Sequence, residues 1–300
     1  MKKVLIAAVA LVVLVIAIVV ISFLSIDSIA KAAIEKGGTY ALGVPTTLDS
    51  ANVGIMAGKF SMSGLKVANP AGGYTSPAFL SLGSGGVSVS FTTLKQPVVE
   101  LPTFSLENLD VSLEKKDSKA NYAVILDNLN KLKAASGGGG ASKPAPSSDS
   151  EKRFVIKELL LRNIKISVDL IGGPGAIGKL TKINIPIDEI KLENVGQTGT
   201  GVGGTGVTMS QLASIIVQAV LAAAADKGGG LLPADILGDL KGGLANLGDL
   251  DKLGMNVLAK APAELEKQAE KAIDDATKKL PGAAGDAVKD LTKNIPGLKK

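Results

Sequence analysis

The chain has 300 residues, contains no Cys, His or Trp, and carries a formal net charge of +5 from 33 basic and 28 acidic side chains. These absences exclude disulfides, thiol nucleophiles, Cys/His zinc sites and a histidine general base. Three Tyr and six Phe are too few for a base-stacking surface, and so small and spread an excess of charge does not mark a nucleic-acid binder.

Met1-Lys2-Lys3 precedes an apolar run, Val4 to Leu24, whose only polar member is Ser22. As a helix the run is ~32 Å long, about one hydrocarbon core, and it exceeds the ~7–15 apolar residues of a secretory signal. Ser28 and Ala30 have the spacing of a cleavage site before Lys31, but the length of the run favours an uncleaved single-pass anchor. Lys2 and Lys3 favour a cytoplasmic N-terminus, with the bulk of the chain exported. Ser25 to Lys36 reads as a helical continuation stopped by Gly37-Gly38, so residues 1–36 form the anchor and its extension.

Residues 37–133 read as a first β-rich half, with strands to about Glu114 and a helix over Tyr122–Leu132 from the spacing of Ile125, Leu129 and Leu132. Residues 134–152, with four consecutive Gly, form a flexible linker. Residues 153–208 are a second β-rich half, from Arg153 to Val195, followed by a Gly-rich loop. Residues 209–300 read as helical. The stretch Leu212 to Ala225 is apolar apart from Ser214 and Gln218, and either packs on the sheet as a core helix or plugs a groove in it. Leu237, Leu240, Leu244, Leu247, Leu250 and Leu253 form one helical stripe, which packs on a surface or lies on a membrane. The tail, Pro262 to Lys293, is broken at Pro281-Gly282.

The strands share a device. Phe60-x-Met62 alternates, and the apolar parity then shifts across Gly64 to Leu65-x-Val67. The same shift occurs across Asn108 (Phe104, Leu106, then Leu109), across Asn163 (Leu159, Leu161, then Ile164) and across Asn194 (Ile190, Leu192, then Val195). An odd offset sends side chains to the opposite face of a strand. A β-bulge would absorb the extra residue, and Gly or Asn tolerates the left-handed backbone that a bulge requires. The expected fold is therefore α+β, mainly β: an N-terminal transmembrane helix, a curled antiparallel sheet (a groove or half-barrel) with bulges at Gly64, Asn108, Asn163 and Asn194, and C-terminal helices packed on or beside it. The four breaks lie 44, 55 and 31 residues apart, which excludes a uniform solenoid period. Phe60, Met62, Val87, Val89, Phe91, Phe104, Leu106, Leu159, Leu161 and Ile185 are the candidates to line an apolar groove. They serve equally well as an ordinary core.

Gly199-Thr200-Gly201-Val202-Gly203-Gly204 matches G-x-G-x-x-G, but it lies in low-complexity sequence after amphipathic strands, unlike the continuous apolar strands of a dinucleotide fold. It is read as a loop. The carboxylate pairs Asp249/Asp251 and Asp274-Asp275 are read as solvated. No catalytic, cofactor-binding or metal-ligating residue is assigned, and no cofactor is expected.

Ala41-Leu42-Gly43-Val44-Pro45, then Gly58-Lys59-Phe60 through Gly64-Leu65-Lys66-Val67-Ala68-Asn69-Pro70-Ala71-Gly72, and Pro97-Val98-Val99-Glu100 followed by Phe104 to Glu114 resemble the opening of AsmA-like proteins. The resemblance covers residues 39–114 and, less closely, 153–195. It implies single-pass anchoring in the inner membrane, a periplasmic β-groove or half-barrel, and a part in lipid homeostasis or assembly of the outer envelope. The expected function is thus non-enzymatic, shielding or helping to transfer phospholipid through contact with its acyl chains. The alternative is an assembly module that binds an envelope protein and carries no lipid. An envelope crossing is on the order of 200 Å, more than one sheet of this length can bridge, since a strand rises only ~3.3 Å per residue.

Overall fold

The computed structural model describes residues 25–54, 57–89, 93, 96–116, 119–137, 152–171, 183–197, 206–228, 231–245, 247 and 255–258. The expected membrane span Val4–Leu24 lies outside them. So do Phe91, most of the Gly/Ser linker, the G-x-G-x-x-G segment, Leu250, Leu253, both carboxylate pairs and the tail. The fold is mainly β, with helix α1 (25–42), strands β1 (Thr46–Thr47), β2 (Ser50–Gly54), β3 (Lys59–Val67), β4 (Leu80–Ser88), β5 (Val98–Lys116) and β6 (Lys119–Ala120), then helix α2 (Asn121–Gly137). Strands β7 (Arg153–Ile171) and β8 (Ile183–Val195), helices α3 (Met209–Lys227) and α4 (Ala234–Ala245), and strand β9 (Met255–Leu258) follow.

All nine strands belong to one open sheet in the order β1-β3-β4-β5-β7-β8-β9, with β2 beside β1 on the edge of β3 and β6 on β5. The two β-rich halves are joined in this sheet, and the expected all-antiparallel sheet is corrected at the joint. Strands β5 and β7 run parallel, in one register from Val98↔Arg153 to Lys116↔Ile171. A parallel pair needs a crossover of a dozen or more residues, and the 117–152 connection, which contains α2, is that crossover.

The four parity breaks are left-handed, with φ of 64° at Gly64, 61° at Asn108, 51° at Asn163 and 55° at Asn194. They do not add a residue to one strand, as a bulge would. Gly64 faces Gly83 between the pairs Ser63↔Ser84 and Leu65↔Leu82. Gly83 faces Asn108, Asn108 faces Asn163, and Asn163 faces Asp188, each flanked by pairs in unbroken register. The break is thus a row across five strands, one residue wide. A second row, Pro102, Lys157 and Asn194, crosses β5, β7 and β8. Because neighbouring strands change parity at one level, each keeps its apolar set on one face: Phe104, Leu106, Leu109 and Val111 are all buried, as are Leu159, Leu161, Ile164 and Ile166. The first row uses Gly at residue 64 because a Cβ there would run into the Asp49 side chain.

The other face is charged, with Arg162 paired to Glu189 at 2.8 Å and Lys191 to Glu158 at 2.8 Å and Glu193 at 3.0 Å. Helices roof the apolar face: α3 lies on β7 and β8, α2 on β5, and α4 on α2 and α3. Helix α3 starts at a capping box, in which Thr208 accepts from the Gln211 amide and the Gln211 side chain accepts from Thr208 N–H. Among the described residues α3 is the one helix long and apolar enough to cross a membrane, and half of its most apolar 18-residue window is buried inside the protein. Two expectations for the C-terminal region are corrected. Helix α4 ends at Ala245, before the leucine stripe does, and β9 then joins β8 as a strand.

Helix α1 also departs from expectation. It passes through Gly37-Gly38 and stops at Gly43, whose φ is 68°. The two glycines allow close approach instead of ending the helix. A Cβ on Gly37 would lie 2.9 Å from Met209 Cγ, and one on Gly38 would lie 2.8 Å from Thr46 Cγ2. Four side chains at four-residue intervals fix α1 along the sheet edge. Val53 N–H donates to Asp27 (2.7 Å), Lys31 donates to the Asp49 carbonyl (3.3 Å), Leu48 N–H donates to Glu35 (2.8 Å) and Thr46 N–H donates to Thr39 (2.9 Å). Backbone groups of an otherwise unpaired edge are thereby satisfied by a helix.

Candidate apolar binding cavity

Where α1 and α3 cross the first three long strands, the roof does not close. The space left, about 710 Å³ including its mouth, is bounded by Ile34, Gly38 and Leu42 of α1 and by Met209, Leu212, Ala213, Ile216 and Val217 of α3. Its floor is the sheet: Phe60, Met62, Leu65 and Val67 of β3, Leu80 and Leu82 of β4, and Phe104, Leu106 and Leu109 of β5. Met62 and Leu106 flank Gly85 in register on either side of it. They lean together over that glycine, where a Cβ would come within 2.7 Å of one and 2.8 Å of the other.

Among the described residues the lining has one polar side chain, Thr46 of the edge strand β1. Thr46 is 5% exposed, and its hydroxyl oxygen is the single buried side-chain polar atom without a hydrogen-bond partner among the described residues. Such a group is costly to leave unpaired. Among the described residues no ionisable side chain lines the cavity and the Thr46 hydroxyl is buried beneath its wall, so the lining offers aliphatic and aromatic contact.

Of the ten residues singled out from sequence, Phe60, Met62, Phe104 and Leu106 come together in this floor. Leu159, Leu161 and Ile185 are elsewhere, in the packed core under the helices, at 0%, 0% and 2% exposure. Val87 is buried in the same core and Val89 packs against it half-buried. The apolar face is therefore a roofed core with a cavity at one end instead of a bare groove. Sequence reasoning missed Thr46 and the wall from α1, whereas the α3 wall comes from the 212–225 stretch expected to pack on the sheet or plug a groove in it. The Gly37-Gly38 pair was the available signal, because glycines inside a helix that continues past them mark close packing.

A second polar cluster serves the fold. Glu114 is fully buried and accepts hydrogen bonds from the N–H groups of Thr75 (2.6 Å) and Ser76 (2.7 Å) and from both hydroxyls. Burial pushes its pKa up, but these hydrogen bonds outweigh burial and hold the carboxyl below its ordinary value. Asn121 links the same region, accepting from Glu114 N–H and donating to Asn69 and to the Ser112 carbonyl. Every partner is satisfied, and the cluster pins the 69–76 loop and the start of α2 to β5. Beside it, Lys115 sits between Asp235 and Asp239, 2.9 Å from each, which ties α4 to the sheet and raises the Lys115 pKa. Burial, with Asp239 and Asp235 nearby, pushes the Tyr122 hydroxyl well above its usual range. Among the described residues no three metal-ligating side chains cluster.

Compared with models of known protein families the chain matches none, and no curated protein matches it.

Proposed function

We propose that the protein is a membrane-anchored, non-enzymatic, AsmA-like protein of the cell envelope that shields phospholipid acyl chains and helps their transfer. The observation that carries this reading is the cavity between α1, α3 and the sheet, whose lining is apolar apart from Thr46. Apolar walls of this kind suit a hydrocarbon ligand. Position supports the same reading. Helix α1 follows directly on the apolar run Val4–Leu24, and its cavity residues begin at Ile34. At ~1.5 Å per residue the cavity begins roughly 14 Å along α1 from residue 25. A chain held there has left the bilayer. The anchor would lie in the inner membrane with a cytoplasmic N-terminus, and the sheet in the periplasm.

The test is native mass spectrometry of the full chain, purified from cells in maltoside detergent, with and without the cavity-filling substitution Ala213→Phe. Co-purified phospholipid on the native protein, reduced on the variant, is the expected result. A native protein free of lipid would overturn the reading and favour the assembly module, in which the same walls hold an envelope partner.

A further inference from the structure

The two ends of the cavity differ. Hydrogen bonds set α1 against the sheet edge with Asp27 at Val53 and Thr39 at Thr46, and the strand register carries both levels inwards. The Thr46 level runs through Val67 and Leu80 to Val111, all buried. Behind it the core continues. Phe79 donates its N–H to the Val67 carbonyl and is fully buried, Ala41 and Val44 are buried, and the Asn128 amide of α2 donates to the Leu42 carbonyl at 2.8 Å. Met209 of α3 seats against Gly37 of α1 at the same end. This end is shut.

The Val53 level runs through Phe60 and Val87 to Phe104. At this corner β2 and β4 end and β3 starts, beside the first turns of α1. Val53, Phe60 and Val89 are half-buried, as are Ile26 and Ala30 of α1. Ile29, 65% exposed, is the most exposed large apolar side chain among the described residues. Apolar side chains gathered at one rim mark a contact surface, and the chain itself says what they meet. Asp27 is three residues beyond Leu24, where the apolar run Val4–Leu24 ends, so only about 4.5 Å of helix rise separates this rim from the run. With that run in the membrane, the open end faces the bilayer surface and the shut end points away from it.

We propose that the cavity is a socket with one mouth, which opens at the Phe60 corner onto the bilayer carrying the anchor. A phospholipid acyl chain enters it tail-first from that bilayer and leaves by the same mouth. This rests on the acyl-shielding reading and specifies the source of the chain and its path. The Thr46 end passes nothing on, so the protein holds a chain out of its own membrane and does not conduct it through.

The experiment uses the full chain reconstituted into phosphatidylcholine vesicles. The sequence has no Trp, so Met62→Trp puts a single fluorophore on the cavity floor and Phe79→Trp puts one behind the shut end. In vesicles of phosphatidylcholine brominated on one acyl chain, Met62→Trp should lose emission and Phe79→Trp should keep it. Iodide in the water should quench neither. Iodide quenching of Met62→Trp above that of Phe79→Trp would put the mouth in water and overturn the inference. The native protein gives a second reading that needs no substitution. Its bound lipid, read by native mass spectrometry after extraction in maltoside, should become brominated when the brominated lipid shares its bilayer. Over the same time it should stay unbrominated when that lipid is in separate vesicles. Equal exchange from separate vesicles, or cellular lipid that neither source displaces, would overturn the inference and leave acyl shielding intact. Brominated lipid bound with Met62→Trp emission unchanged would place the chain outside the cavity and overturn the inference as well. A native protein that carries no lipid from cells and takes none from either source would overturn acyl shielding itself.

Discussion

Asn163 donates its side-chain amide hydrogen to the side-chain carbonyl of Asn108, directly opposite it in the parallel pair β5–β7. Both residues are left-handed, at φ of 51° and 61°. The two asparagines therefore do two jobs: each accepts a backbone conformation most side chains resist, and together they bridge the strands where the ladder is interrupted.

A glycine at either position keeps the first job and loses the second, whereas an alanine loses both. Asn163→Gly should cost about 0.5–1.5 kcal/mol, the value of one neutral hydrogen bond. Asn163→Ala should cost about 1–2 kcal/mol more, the penalty for a left-handed residue with a Cβ. Urea midpoints measure both, and equal costs would show that the backbone conformation does not select the residue.

Neighbouring glycines in α4 should respond with opposite signs. A Cβ on Gly242 would meet nothing within 4 Å, while one on Gly243 would lie 2.6 Å from Leu126 Cδ1. Leu126 is 2% exposed and cannot swing away. Gly242→Ala should stabilise by roughly 0.5–1 kcal/mol through helix propensity. Gly243→Ala should destabilise by about 1–3 kcal/mol through overpacking. Thermal unfolding of the two variants, side by side, decides it.

Glu114 should set part of the acid sensitivity. Its carboxyl titrates lower in the folded protein than in the unfolded chain, where ~4.3 is usual. Its contribution is therefore complete above about pH 4.3 and is lost as pH falls through the folded value. Glu114→Gln removes the charge that four donors converge on, and should cost about 2–3 kcal/mol at neutral pH. The variant should also lose less stability than the native protein between neutral pH and the folded titration point. Urea unfolding at several pH values tests both statements, and parallel pH profiles would refute the assignment.

Lys115 should hold α4 down by charge. Its side chain is 17% exposed, while those of Asp235 and Asp239 are 58% and 44% exposed, so the cluster is partly screened and Lys115→Met should cost only about 1 kcal/mol. The loss should be local. Amide exchange in α4 should speed up, and in the native protein added salt should speed it in the same way. Exchange that is indifferent to both would show that packing alone holds the helix.

Much of the sheet could be read in the order of residues, because period-two alternation and its interruption are written in single strands. The breaks at Asn108 and Asn163 are 55 residues apart, and 55 is also the offset of the parallel register, as in Val98↔Arg153. The repeat spacing thus held the register. It could not be recognised as such, because pairing direction depends on the path of the connection and not on local pattern. The 44-residue spacing from Gly64 to Asn108 relates two strands on either side of β4, in the same row. The 31-residue spacing to Asn194 leads instead into the second row, opposite Lys157. Four of the ten apolar candidates, Phe60, Met62, Phe104 and Leu106, line the cavity, and Leu159, Leu161 and Ile185 are core. One-dimensional parity separates the two faces of a sheet but carries no information on which part of a face a helix covers. Thr46 was invisible for a similar reason: a threonine in a strand is ordinary, and only the absence of a hydrogen-bond partner makes its buried hydroxyl notable.

The side chains of α1 meet the sheet edge in the sequence acceptor, donor, acceptor, acceptor: Asp27, Lys31, Glu35 and Thr39 against Val53 N–H, the Asp49 carbonyl, Leu48 N–H and Thr46 N–H. Such a pattern works as a key with one seating. A slide of one helical turn would aim the Lys31 ammonium at a backbone N–H, donor against donor, and would set the Glu35 or Asp27 carboxylate against the Asp49 carbonyl. Piston motion along the helix axis therefore breaks all four contacts at once, and no intermediate stop recovers them. A pull on residue 25 reaches the edge strands as a single all-or-none load, and the cavity wall formed by Ile34, Gly38 and Leu42 moves with it or stays put with it.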